Sequence, residues 1–379
     1  MIPSSIEPSW IMKTSAATAG VTARARCTRQ SVHRFNPIED HRWPELVERH
    51  PRASVFHSVA WLRALQSTYG YKPVGFTWSS PAEQLQDAVL FCEVDSWITG
   101  RRLVSLPFSD HCDSLVQDTQ NSAPLLSAVQ TTASERPWRY LEVRSLDCDE
   151  MVGPDWHTSA NYCFHRLDLR PALSTLFRNF HQSSTQRKIR RAEREGLTYL
   201  EASDGTLLDQ FYRLLIITRK RHHIPPQPRD WFASLLHNFG DALKIRLAFK
   251  GDRAVAGMLT IRHKDTLFYK YGGSDARYHK LGAMHLLYWN AIQDAKNQGL
   301  AALDLGRSDA GQAGLITFKS RWGAELRPLN YHRFSTSGNS VHAFDPAGGI
   351  NRLAIKRLCS LAPAFLLPSI GNLLYKHIG

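Results

Sequence analysis

The chain has 379 residues, 43% of them hydrophobic and 21% charged, with 17 Phe, 12 Tyr and 10 Trp. That is too long for one small module and apolar enough for ordinary globular cores, so wholesale disorder is excluded and two domains, or one large fold with appendages, are expected. The formal charge of +13 is uneven: residues 1–170 hold 17 Lys and Arg against 19 Asp and Glu, whereas residues 171–379 hold 30 against 15, a field suited to nucleic acid, anionic headgroups or phosphorylated small molecules. There is no uninterrupted apolar run of about 18 residues and no apolar block near the start, so neither a spanning helix nor a secretory signal is expected. Cys27, Cys92, Cys112, Cys148, Cys163 and Cys359 lie far apart, without zinc spacing, and read as reduced thiols of a cytoplasmic protein. His222 and His223 are adjacent and diverge around a helix, so no metal is expected.

Residues 1–32, rich in Ser, Thr and Ala, read as a flexible leader. Globular patterning begins at Phe35, with helices near Trp43–Arg49 and Ser58–Tyr69 and apolar runs at Pro73–Trp78, Ala88–Val94 and Arg101–Leu106. A helix near Ala123–Ala133 and runs at Trp138–Val143 and Tyr162–Leu169 complete a first domain, 33–170. The basic half opens with a helix at Ala172–Phe180 and a second from about Ser184, announced by the capping-box pair Ser183 and Gln186. A helical stripe from Leu207 to Leu215, a break at Pro225-Pro226 and a helix around Asp230–Asn238 follow. Three strands (Leu243–Phe249, Ala254–Ile261, Thr266–Tyr271) turn at Gly251-Asp252 and Lys264-Asp265. A long helix at Ala283–Gln298, a strand at Ala301–Leu305, a helix near Leu315–Arg321 and a strand at Pro328–Phe334 end a second domain, 171–336. The tail, 337–379, holds two short amphipathic helices that either cover the sheet or lie on an anionic membrane surface.

A strand meander, a glycine-containing loop, a long helix, a strand, a short helix and a strand is the element order of the GNAT acyltransferase fold. The motifs Ala254-Val255-Ala256-Gly257, Tyr269-Lys270-Tyr271-Gly272, Asp304-Leu305-Gly306-Arg307-Ser308 and Phe318-Lys319-x-x-Trp322-Gly323 resemble the FemAB/CelD-type branch of that superfamily. Phe56-His57-Ser58-x-x-Trp61 and Ser105-Leu106-Pro107-Phe108-Ser109-Asp110-His111-Cys112 extend the resemblance to the first half. It implies an α+β fold of tandem GNAT-like domains, mixed central sheets flanked by helices. It also implies amide-forming transfer from acyl-CoA or aminoacyl-tRNA, with no permanently bound cofactor.

Direct attack of an amine on an activated acyl group requires no enzyme nucleophile, so the lack of a Ser/His/Asp signature is no objection. Asp304 stands at the end of a short buried strand, where it either orients an acceptor amine and takes its proton or forms a structural pair with Arg307; Arg307 and Ser308 are candidates to hold a phosphate or carboxylate. By resemblance, the Lys of the Phe-Lys motif, Lys319, handles the reacting substrate. Arg277, Lys280 and Gly282 precede the long helix, where a donor pyrophosphate would sit on backbone amides, although the loop has few glycines. Lys270 alternates with Tyr269 and Tyr271 and reads as solvated. His111 is a candidate acceptor contact between the domains, and a Cys112/His111 nucleophile is disfavoured because adjacent residues rarely meet in that geometry. Arg187, Arg190, Arg191 and Arg194 share one helical face, either a solvated stripe or an anion site.

The resulting expectation is an N-acyltransferase or aminoacyltransferase acting on an amino sugar, lipid-linked glycan or peptide of the cell envelope, including exopolysaccharide precursors. It would be cytoplasmic, peripheral at the inner face of the plasma membrane, with tRNA among its possible partners and no DNA. An acyl-CoA-dependent acetyltransferase and a noncatalytic exopolysaccharide assembly factor remain alternatives. Muropeptide-linked members of the resembled branch often carry a Lys four residues after the Ser-x-x-Trp tryptophan; Leu65 stands there instead, which weakens the expectation of a nucleotide-linked muropeptide acceptor.

Overall fold

The alternating apolar runs become strands of one sheet. The computed structural model describes residues 31–117, 122–147, 152–336 and 352–378; nearly all of the leader, Cys27, Cys148 and the start of the tail lie outside the described residues. The first half contributes β1 (His33–Phe35), β2 (Lys72–Thr77), β3 (Val89–Val94), β4 (Arg102–Val104), β5 (Tyr140–Val143) and β6 (Trp156–Asp168). The second contributes β7 (Thr198–Ala202), β8 (Leu243–Lys250), β9 (Arg253–His263), β10 (Thr266–Ser274), β11 (Ala302–Asp309) and β12 (Glu325–Ser335). Helices α1 (Arg42–Arg49), α2 (Val59–Tyr69) and α3 (Ser122–Ser134) belong to the first half. Helices α4 (Leu173–Asn179), α5 (Arg187–Arg194), α6 (Leu208–Arg221), α7 (Arg229–Phe239), α8 (Ala283–Asn297) and α9 (Ala313–Ser320) belong to the second, and α10 (Arg352–Leu361) and α11 (Leu367–Ile378) to the tail.

Each half repeats one plan. The meander β2-β3-β4 is followed by α3 and by β5, parallel to β4; the meander β8-β9-β10 is followed by α8 and by β11, parallel to β10. A parallel neighbour cannot be reached by a tight turn, so both crossovers use a helix. The last strand of each half then joins the other: β6 pairs with β11, β12 pairs with β5, and β6 and β12 pair with each other. The outcome is a continuous sheet in the order β1-β2-β3-β4-β5-β12-β6-β11-β10-β9-β8-β7. The two copies of the strand plan thus share one sheet.

Apolar packing crosses the same junction. Trp61 of α2 and Trp231 of α7 meet edge to face at 5.2 Å, and Phe56 meets Phe268 of β10 at 5.9 Å. Helix α5 begins differently from the capping-box expectation: a five-residue wide turn, Gln182–Gln186, leads into it, and the Gln186 amide instead donates to the carbonyls of Arg178 and Phe180 at the end of α4. The tail is pinned to the body. Thr99 and Arg102 donate to the His377 carbonyl, the Tyr71 hydroxyl donates to that of Tyr375, and Lys220 Nζ donates to the carbonyls of Cys359, Ser360 and Ala362.

Candidate active site

Strands β10 and β11 pair for only three positions, Thr266 with Ala302, Leu267 with Leu303 and Phe268 with Asp304, and then part. Both are irregular there: the register of β10 shifts against β9 between Tyr269 and Tyr271, and that of β11 against β6 between Asp304 and Arg307. Gly306 sits in the second irregularity at φ 68°, and a Cβ on it would lie 2.9 Å from Asp110 Oδ2. Glycine is required both by the left-handed backbone and by the close approach of that carboxylate.

Asp110 and His111 come from the first half, in the loop after β4, where Leu106 and Phe108 hold positive φ of 45° and 61°. Such strain persists because packing over-determines it: Leu106 is buried, and Phe108 lies against Tyr69, Trp231 and Tyr375. Asp110 Oδ2 accepts a 2.9 Å hydrogen bond from Lys270 Nζ, and Arg307 Nε lies 3.8 Å from Oδ1. Lys270 is therefore a buried ion-pair partner, its ammonium also 5.0 Å from the Phe56 ring centre, and not the solvated side chain expected from alternation. The expectation failed because Asp110 lies 160 positions away and becomes a neighbour only through the sheet.

His111 bridges two carboxylates, with Nε2 3.1 Å from Asp304 Oδ2 and Nδ1 3.6 Å from Asp113 Oδ2. Burial opposes charging the ring, but the neighbouring carboxylates of Asp113 and Asp304 outweigh it and raise its pKa to about 10. Burial likewise opposes ionisation of Asp113, yet His111, Ser145 and the Leu146 amide bring it down to about 2. Asp304 Oδ1 accepts from the Gly306 amide at 2.7 Å, so both of its oxygens are engaged. The structural alternative named for Asp304, a pair with Arg307, is absent: Arg307 packs on the adjoining rings of Tyr162 and Tyr331 and faces Asp110. Lys319 Nζ donates to the carbonyls of Gly306 and Arg307, both at 2.9 Å. Burial lowers its pKa to about 8, partly offset by Asp110 and Asp304. Ser308 is buried nearby, its hydroxyl without a hydrogen-bond partner among the described residues.

Beside this cluster lies a cavity of about 640 Å³ between β9–β10 and the start of α8, with Val255, Tyr269, Gly272, Met284, Tyr288 and Phe318 in its wall. None of the charged residues of the cluster is in its wall; Tyr269 and Phe318, which are, are the sequence neighbours of Lys270 and Lys319. A second, mostly basic cavity of about 660 Å³ adjoins it, lined by Arg187, Lys188, Arg191, Arg194, His279 and Lys280 and by one acid, Glu195, which lies 3.4 Å from Arg191; Lys188 and His279 border both.

The predicted residues therefore divide. Arg187, Arg191 and Lys280 meet at the basic cavity; Asp304, Lys319, His111, Arg307 and Ser308 meet at the split. Arg190 does not join its neighbours, because its guanidinium stacks on Phe177, 5.4 Å from the ring centre. Arg277 turns back to Asp275 at 2.6 Å and lines neither cavity. Gly282 borders the cavity at φ 83°, but a Cβ there would lie 2.4 Å from the Lys188 carbonyl oxygen, so it is needed first for the packing of α8 against α5. Asp110, Asp113 and Lys270 were not singled out as site residues; acids beside a histidine in a loop of the first half were the only signal.

Residues 179–320 match the acetyltransferase (GNAT) domain family. The split of parallel strands, with a cavity against the following helix, belongs to that domain. Over 97 residues the chain is 25% identical to a UDP-N-acetylmuramoylpentapeptide-lysine N(6)-alanyltransferase of Weissella viridescens, a stretch that is 25% of this chain and 29% of that protein's length. In fold it is similar to FemX, with a TM-score of 0.59 at 13% identity over 79% of this chain and 96% of that one. A tandem GNAT protein from the clavulanic acid biosynthesis pathway gives a TM-score of 0.51 at 10% identity over 81% and 98%. Residues 179–320 are thus similar to a GNAT domain, and the fold of the whole is similar to that of FemX and of a tandem GNAT protein.

Proposed function

We propose that this protein transfers an acyl or aminoacyl group to an amine of a cell-envelope precursor, an amino sugar, lipid-linked glycan or peptide of peptidoglycan or exopolysaccharide, at the inner face of the plasma membrane. The observation that supports the reading is the pair of adjoining cavities, one basic and one largely apolar, that share Lys188 and His279, with Tyr269 and Phe318, the sequence neighbours of Lys270 and Lys319, in the apolar wall. A phosphate-bearing donor, aminoacyl-tRNA or acyl-CoA, sets its anionic groups against Arg187, Arg191, Arg194 and Lys280, where guanidinium groups bind phosphate bidentately. Its acyl end runs inward past Tyr269 towards Phe318.

At the split, three carboxylates (Asp110, Asp113, Asp304) stand against four cationic groups (His111, Lys270, Arg307, Lys319). This leaves positive potential where a carbonyl oxygen gains charge during amine attack. The carbon–nitrogen bond forms, the carbon–oxygen or carbon–sulfur bond of the donor breaks, and one proton passes from nitrogen to the leaving group. Lys319, held near a pKa of about 8, exchanges that proton near neutral pH; Asp304 orients the amine once the wall formed by Phe318 shifts.

Thermal unfolding with acetyl-CoA or alanyl-tRNA added separately tests the donor site. A donor at about 100 times its Kd adds about 2.7 kcal/mol of stability. Stabilisation by one donor, weakened in Arg187→Ala with Arg191→Ala but not in Arg190→Ala, is the expected result. Indifference of the unsubstituted protein to both donors refutes the transfer reading and favours a noncatalytic assembly role.

A further inference from the structure

The tail turns large apolar side chains outward. Leu361 is 77% exposed, Phe365 76% and Leu373 63%, with Leu358 and Leu366 also exposed. Leu358 and Leu361 are three apart on α10, and Leu373 and Lys376 three apart on α11, so each pair shares a helix face. Trp97, from the loop between β3 and β4, is 85% exposed and meets the His377 ring at 5.6 Å, which places a sixth apolar side chain at the end of α11. Isolated exposed leucines are ordinary, but this many on one short segment are not.

Two further observations identify what covers them. From residue 346 to the last residue the chain has no Asp or Glu but carries Arg352, Lys356, Arg357 and Lys376, and Lys356, Arg357 and Lys376 are exposed. The two helices are also held in place from behind, by Lys220 on the carbonyls that end α10 and by Thr99 and Arg102 on the His377 carbonyl. A protein partner would need acids opposite every one of these cations, whereas an anionic bilayer presents a uniform negative surface with hydrocarbon directly beneath it. No helix among the described residues is long and apolar enough to cross a membrane, so the geometry is that of a segment lying in the interface.

We infer that α10, α11 and Trp97 form a docking face for an anionic lipid bilayer, with the leucines, Phe365 and the indole entering the acyl boundary and the basic side chains at headgroup level. This inference does not depend on the transfer reading. Flotation of the full chain with phosphatidylcholine vesicles, with and without phosphatidylglycerol, tests it. The expected result is binding to the phosphatidylglycerol vesicles that weakens with added salt. Leu361→Ser with Phe365→Ser should lower affinity about tenfold or more without moving the Tm, because both side chains are already in solvent. Lys356→Glu with Arg357→Glu should abolish the preference for anionic vesicles. Failure of the unsubstituted chain to float with phosphatidylglycerol vesicles overturns the inference, as does unchanged binding in the Ser variant. A solution dimer that dissociates in the Ser variant also overturns it, by making the face a contact between copies of the chain.

Discussion

At equivalent points of the two repeats, Glu142 pairs across from Val104 and Asp304 across from Phe268. Glu142 meets Arg333 in the neighbouring strand and Arg144 just past the end of β5, both at 2.6 Å, and the three charges close on themselves. Behind them the chain after β4 folds back, so that Cys112 forms a β-bridge with Arg144, just past the end of β5. Asp304 faces Arg166 in register, yet its side chain reaches His111 of the other half, and the space beyond β10 stays open as the cavity. One repeat thus closed its split with its own loop, and that same loop carries Asp110 and His111 into the split of the other. The comparison teaches that a duplicated fold needs only one open cleft and can use the second copy to furnish it.

The comparison breaks most visibly if Glu142 is neutralised. Glu142→Gln should cost about 3–5 kcal/mol in denaturant unfolding at neutral pH, because two buried guanidinium groups lose their counter-charge. Against the opposition of burial, Arg144 and Arg333 hold the Glu142 pKa near 2. Its stabilising effect is therefore present above the ordinary carboxylate range and fades as pH falls towards about 2, where variant and parent should converge.

Gly282→Val, in the open repeat, should cost about 2–4 kcal/mol through overpacking on Lys188 and a strained backbone. If donor affinity falls without a drop in Tm, Gly282 serves the donor and not the packing of α5 on α8. Smaller again, Lys319→Met and Asp304→Asn should each lower transfer about a hundredfold, some 2.7 kcal/mol of transition-state stabilisation, with the far-ultraviolet circular dichroism spectrum unchanged. Normal turnover in both would place the reacting centre elsewhere.

His111 supplies the finest test. Its raised pKa means that its contribution is full below the unfolded value near 6.5 and is lost as pH rises towards about 10. His111→Asn should therefore cost on the order of 2 kcal/mol at pH 6 and much less at pH 10. An equal cost at both would show that the ring is neutral in the fold.

Much of the second half was legible in its sequence. Gly251 and Lys264 marked both hairpin turns, and the meander, long helix and following strand stand where periodicity placed them, because those signals are local. Spacing also put Arg187 and Arg191 on one face. It could not tell that Arg190, next to Arg191 on the same face, would be taken by Phe177, a side chain of a different helix. The strand after Trp156 was expected to begin only at Tyr162, because its opening His, Thr, Ser and Asn residues carry no apolar alternation and are held by β12 alone.

By itself the sequence determined the repeat of strands and helices, the basic second half and the residue types at Asp304 and Lys319, since each depends on neighbours within a few turns of chain. Only the tertiary structure decided that β6 and β12 change places, that Asp110 pairs with Lys270 across 160 positions, and that His111 sits between two acids. The physical reason is that burial makes a lone charge intolerable, so the partner that satisfies it is chosen by where the sheet brings chains together and not by distance along the sequence.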